Sequence, residues 1–230
     1  MEIKNHEFNC LKVDFYSPTI RSILNCCTLD MHMPAMILAL CTIDYIGIPL
    51  SRNKDNKSET FKEFLKKYIS LVNCDYNNPE IQEIIYAIRC SLVHTYGTSR
   101  SLKRITIKPV FETGNKCNKN HLSFFINENG EKCFYISIFD FISETIAGVE
   151  AFFRTISDPQ ILTEWYKNLF IMNDFSGLFN KAICISGDKI FYKNIHSFLS
   201  ILDEKPDCSI KELANSINDK LITNYNNSIR

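Results

Sequence analysis

The stretch Asn78–Gly97, NPEIQEIIYAIRCSLVHTYG, decides how this chain folds. Asn78 has the side chain of an N-cap, Pro79 suits the first helical position, where no amide hydrogen is needed, and Glu80 complements the positive end of the helix dipole. Gly97 supplies a stop. Between those marks, Ile81, Ile84, Ile85, Ile88 and Leu92 fall on one stripe at about 100° per residue, and such a stripe has to face a core. Arg89 and His94 lie off it. They stand about 140° apart on the wheel, with Glu83, Tyr86 and Cys90 between them, so a second, polar face is expected opposite the isoleucines.

Working outward, the upstream chain reads as more helices. Residues Met1 to Tyr16 alternate weakly and fit either a strand or a packed arm. Ser17-Pro18 opens a short helix through Ile20, Ile23 and Leu24 towards Cys27. Met31 to Leu50 is apolar nearly all round, broken by His32 and Asp44 and closed by Gly47 and Pro49. Its uninterrupted apolar part, Met33 to Ile43, is too short for the ~20 residues a bilayer needs, so a central bundle helix is expected and no membrane span. A polar surface loop follows at Ser51 to Ser58, then Phe61, Phe64, Leu65, Tyr68 and Leu71-Val72 at helical spacing, then a turn at Cys74 to Asn78. Short connections between such helices point to an antiparallel bundle.

Downstream of Ser101 the pattern changes. Lys103 to Val110 alternates apolar with basic residues, and the runs Leu122 to Ile126 and Cys133 to Ile138 flank Asn127-Glu128-Asn129-Gly130, a hairpin turn. These predict a small antiparallel β-meander packed on the helices, since so small a sheet is marginal alone. Helices are expected again from Phe139 to Ile156, from Asp158-Pro159 through Trp165 and Leu169, from Phe191 to Leu202 and from Ser209 to Leu221, where Ser209 and Glu212 form a capping-box pattern. SIKELANSIN resembles the first helix of a helix-turn-helix, although LITNYNNSIR offers no second one. The chain is thus mainly α, with residues 1–100 as a helical block, 101–140 as a β insert and 141–230 as C-terminal helices completing one unit, and a boundary near Ser99 to Lys103.

Composition narrows the function classes. With 26 basic and 26 acidic residues no net field recruits nucleic acid or an anionic membrane, so any RNA contact is local. Ten cysteines without a CxxC pair, in a chain that opens without a basic n-region and an apolar h-region, predict reduced thiols and a cytoplasmic setting. The five histidines make no zinc spacing, and the seven glycines form no phosphate-binding loop, so neither a metal nor a nucleotide cofactor is expected. No GxSxG elbow supports a serine hydrolase.

What remains is Arg89, four residues, His94, one residue, Tyr96. In a helix end within a helical bundle, this RxxxxHxY pattern resembles the ribonuclease motif of the HEPN superfamily, in particular HEPN toxins paired with nucleotidyltransferase antitoxins. The resemblance covers those three positions and, loosely, Ser17 to Gly97; it leaves out Lys103 to Ile138 and the tail. It implies a metal-independent endoribonuclease of toxin or defence type, with Arg89 and His94 catalytic in a cleft shared by a homodimer, and Tyr96 as a tyrosine that a partner nucleotidyltransferase modifies with AMP. Tyr86, Cys90 and Ser91 are the supporting positions. Cys90 stands where family members commonly carry Asn, Asp or His. The residue chemistry agrees with RNA as substrate: an imidazole exchanges a proton near neutrality, and a guanidinium fork neutralises phosphate charge. Other readings of the same residues are a catalytically inactive HEPN-like bundle that binds nucleotides or proteins, and a surface ion pair of Arg89 with Glu83 or Asp75. The basic strand Lys103, Arg104, Lys108 fits either phosphate contact or a solvated face.

Overall fold

A computed structural model describes residues 19–47, 57–95, 107–113, 120–155 and 208–228. It is mainly helical. The helices are α1 (Arg21–Thr28), α2 (His32–Gly47), α3 (Lys57–Lys67), α4 (Pro79–Thr95), α5 (Ile138–Thr155) and α6 (Ile210–Ser228), with 3-10 turns at Ile69–Leu71 and Cys74–Asn77. Three strands, β1 (Lys108–Glu112), β2 (Ser123–Ile126) and β3 (Lys132–Ser137), form one sheet. The expectations for Met1 to Pro18, Gly97, the stretch from Lys103 to Thr106, the boundary near Ser99, and the helices around Trp165 and at Phe191 to Leu202 lie outside the described residues.

Helix α1 buries Ile23, Leu24 and Cys27, with Ile20 just before it. It ends in a Schellman motif: the Met31 amide donates to Cys26 O at 2.8 Å and the Asp30 amide to Cys27 O at 3.3 Å, with Asp30 at φ 55°. Aspartate is among the few residues other than glycine that accept this left-handed position, so α2 can start at once. Helix α2 is apolar all round because it is central, packing against α1, α3, α4 and α5. The polar loop expected to reach Ser58 stops earlier, since Lys57 and Ser58 already belong to α3. Leu71 and Val72 do not continue α3 either; the chain tightens into a 3-10 turn there and leaves Leu71 exposed.

The sheet is mixed rather than an antiparallel meander. Its order is β1-β3-β2, with β3 antiparallel to β2 and parallel to β1. The Asn127 turn holds the β2–β3 hairpin: Asn127 Oδ1 accepts the amides of Asn129 and Glu131, and Gly130 sits at φ 76°, where a side chain would be strained. Strand β1 shows no alternation in burial, Lys108 being exposed and Pro109 to Glu112 all half-buried, and alternation carries no information about the direction of the neighbouring strand in any case. Strand β3, buried from Cys133 to Ser137, runs straight into α5.

Helix α5 is buried on every side from Phe141 to Phe153, polar residues included, because α2, α6, β3 and the Ile69–Leu71 turn surround it. Its close approach to that turn needs a glycine: a Cβ on Gly148 would stand 2.7 Å from Ile69 Cγ1. Helix α6 lays Leu213, Ala214, Ile217 and Leu221 against α5 and begins with the expected capping box, Ser209 Oγ accepting the Glu212 amide at 3.2 Å and Glu212 Oε2 the Ser209 amide at 2.9 Å. It continues unbroken to Ser228, which leaves no turn for a helix-turn-helix. Among the described residues no helix is long and apolar enough to cross a membrane, no three His, Cys, Asp or Glu gather as a metal site, and every cysteine is a free thiol.

Candidate functional site

Helix α4 forms for the reasons its sequence suggests. Asn78 Oδ1 accepts the Glu80 amide at 2.9 Å, and Ile81, Ile84, Ile85, Ile88 and Leu92 are all buried. The opposite face is less open than the wheel implies. Tyr86, Arg89 and Cys90 are half-buried and Ser91 is fully buried, because α2 and α3 cover part of it.

Arg89 is ion-paired through Nη2 with Asp44 of α2, the residue that interrupts the apolar run there. Their side chains are 12% and 17% exposed, so the pair is largely shielded from water. Glu83 is not its partner; Lys62 of α3 takes Glu83. Burial alone lowers the Arg89 pKa, but Asp44 and Cys90 outweigh it and leave the guanidinium more firmly protonated than usual. Arg89 Nη1 also lies 3.9 Å from Cys90 Sγ. Tyr86 bonds Cys90 one turn on, and burial together with that bond pushes its phenol up. Its ring packs 5.6 Å from Phe61, with Lys62 Nζ 5.7 Å from the ring centre. The outcome is a fixed cation in a polar seam between α2 and α4.

His94 lies in the last turn of α4, about 7.5 Å along the axis from Arg89 by helix geometry. Its side chain, and Tyr96 entirely, lie outside the described residues. The structure therefore brings together Arg89, Cys90, Tyr86 and Asp44. Asp44 was missed as a site residue, although a carboxylate inside an apolar helix is a signal that something cationic must meet it.

A second polar cluster was missed altogether. Glu144, in the fully buried stretch of α5, receives three donors: Tyr76 OH at 2.6 Å and His121 Nε2 at 3.1 Å on Oε2, and Asn73 Nδ2 at 3.1 Å on Oε1. The tautomer of His121 follows from its other side, where Nδ1 accepts the Ser137 amide at 3.0 Å. Nε2 then carries the proton and donates to the Glu144 carboxylate. Burial and the Glu144 charge push the Tyr76 phenol far above its ordinary range, so it stays a donor. Asn73 is fixed at both ends, its Oδ1 accepting the Asp75 amide at 3.1 Å. The signal in the sequence was Glu144 among Phe141, Ile142, Thr145 and Ile146.

No protein-family model, curated protein or solved structure matches this chain. The resemblance to HEPN proteins thus rests on Arg89, His94 and Tyr96 and on the helix that leads to them.

Proposed function

We propose that the chain is a HEPN-like, metal-independent endoribonuclease of toxin or defence type, acting in the cytoplasm as a homodimer with Arg89 and His94 catalytic. The observation that carries this reading is the Arg89 guanidinium, held charged and oriented by Asp44 in the seam just before the His94 turn. In the reaction, His94 takes the proton of a ribose 2′-hydroxyl, whose oxygen attacks the adjacent phosphorus. Arg89 neutralises the charge gathering on the phosphoryl oxygens. The 5′-oxygen leaves with a proton from a second imidazole, giving a cyclic phosphate and a 5′-hydroxyl. A second copy of the chain supplies that imidazole, because each chain brings a single His94 to the motif. Tyr96, two residues beyond His94, is the acceptor for AMP from a nucleotidyltransferase antitoxin.

The pairing with Asp44 also favours a second reading, a catalytically inactive scaffold that binds a nucleotide or protein partner, since a guanidinium only 12% exposed already serves the fold. The test is cleavage of a labelled RNA by the purified full chain in the presence of a chelator. Cleavage lost on His94→Ala, with the dimer retained, supports the nuclease. Equal cleavage by His94→Ala sinks it, and a clean wild-type dimer that cuts no RNA selects the scaffold.

A further inference from the structure

Arg89 and Asp44 face each other across the seam between α2 and α4, with side chains 12% and 17% exposed. Arg89 Nη2 is on the Asp44 carboxylate, while the neighbour of Nη1 is Cys90 Sγ at 3.9 Å, a weak acceptor. A guanidinium carries its charge at any ordinary pH without a partner. A shielded ion pair is often no gain over apolar side chains of similar volume. Neither charge maintenance nor stability therefore explains why the apolar run of α2 is broken at Asp44.

The position of Asp44 sharpens the point. It stands in the last turn of α2, which ends at Gly47. Unpaired carbonyl groups make that end of a helix negative, so a carboxylate there is disfavoured by itself and holds a nearby cation the more firmly. A carboxylate and a phosphate diester offer a guanidinium the same thing, anionic oxygens spaced for its fork. Both cannot take the same N–H bonds. A guanidinium 12% exposed offers little to a strand in solution while Asp44 keeps it.

We infer that Asp44 is an internal substitute for the RNA phosphate, an autoinhibitory contact that holds Arg89 in the seam until the substrate strand displaces it. This regulation presupposes the ribonuclease reading of the same site. In the resting chain Arg89 is engaged with Asp44. When RNA binds, Nη2 passes from the carboxylate to a phosphoryl oxygen, and Asp44, already 17% exposed, turns to water. The apparent affinity for RNA scales with the fraction of chains in which Arg89 has left Asp44, so weakening the carboxylate strengthens binding. A carboxylate that merely positioned Arg89 would act in the opposite direction, its loss lowering kcat. The contact also lets one guanidinium serve both the fold and the substrate.

The test compares the full-length wild type with Asp44→Asn, which keeps the shape and an oxygen for Arg89 but not the charge. Binding is read by fluorescence anisotropy with a mixed-sequence single-stranded RNA carrying 2′-O-methyl groups throughout, which has no hydroxyl to attack the phosphorus. Cleavage is read with the unmodified strand. Asp44→Asn is expected to bind about fivefold to twentyfold tighter and to lower KM with kcat unchanged. Equal or weaker binding by Asp44→Asn, beside a wild type that cuts RNA, overturns the inference and leaves the ribonuclease reading standing. If neither protein cuts RNA, the ribonuclease reading fails and the autoinhibitory contact fails with it, whereas cleavage by Asp44→Asn alone supports both. Should Asp44→Asn not fold, wild type labelled with 13C at its aspartate carboxyls answers instead. The Asp44 resonance, assigned by its absence in Asp44→Glu, should move when the 2′-O-methyl RNA binds, and an unmoved resonance overturns the inference.

Discussion

Replacing Tyr76 by Phe removes one oxygen atom from a side chain that is wholly buried and changes nothing else in its shape. That oxygen donates to Glu144 Oε2 at 2.6 Å, and the acceptor is an ionised carboxylate inside the fold. A hydrogen bond to a charged group contributes about 1.5–3 kcal/mol, because the acceptor cannot find water once its donor is gone. His121 at 3.1 Å and Asn73 at 3.1 Å stay on the carboxylate, so the loss should not exceed that range. For a chain of 230 residues, each kcal/mol moves Tm by about 2–4 °C, which places Tyr76→Phe about 3–12 °C below the wild type. Urea unfolding supplies the free energy, and an unchanged slope shows that the same surface is exposed on unfolding. The companion is Glu144→Gln: in the Tyr76→Phe background it should cost about 1–3 kcal/mol less than in the wild type, since the two groups lose one shared interaction. A Tyr76→Phe effect below about 0.5 kcal/mol, or strict additivity with Glu144→Gln, would mean that Tyr76 does not hold an ionised Glu144.

Three further outcomes are expected. Arg89→Met and Asp44→Leu should each cost about 2–4 kcal/mol by leaving the other charge in a largely dry seam, and the double variant should cost clearly less than the sum; additive losses in urea unfolding would show that the pair does not act together. His32, edge-on to Phe139 and Tyr225 with Nδ1 buried and without a partner, has its pKa lowered by burial, only partly offset by Asp30. The folded state thus binds this proton less readily than the unfolded one. The related stability is complete above about pH 6.5 and falls as pH drops through the lowered value, and His32→Phe should flatten that slope between about pH 8 and about pH 5 in melting curves. Gly148→Ala would gain about 1 kcal/mol of helix propensity, but its Cβ meets Ile69 Cγ1 at 2.7 Å; the clash should win by about 1–2 kcal/mol, and a more stable alanine variant would refute the close approach.

Much of the fold is legible in the residues because it is local. The α4 stripe, the Asn78 cap, the Asn127 hairpin turn and the Ser209–Glu212 capping box each depend on side chains within a few positions of one another, and each is found in the structure. The candidate site is legible only as a spacing, RxxxxHxY, since spacing along one helix reports angle and rise but not what lies across from it.

Sequence alone therefore determined the helical class, the isoleucine face of α4 and the position of Arg89 off that face, because helix periodicity and capping are short-range effects. Tertiary structure decided the rest. That β1 runs parallel to β3 depends on the course of the chain between strands, which alternation does not encode. That Arg89 meets Asp44 rather than Glu83 depends on α2 crossing α4. Tyr76, His121 and Glu144, separated by 45 and 23 residues, become one network only when β3 delivers α5 beside the Cys74–Asn77 turn, where burial makes every donor to that carboxylate count.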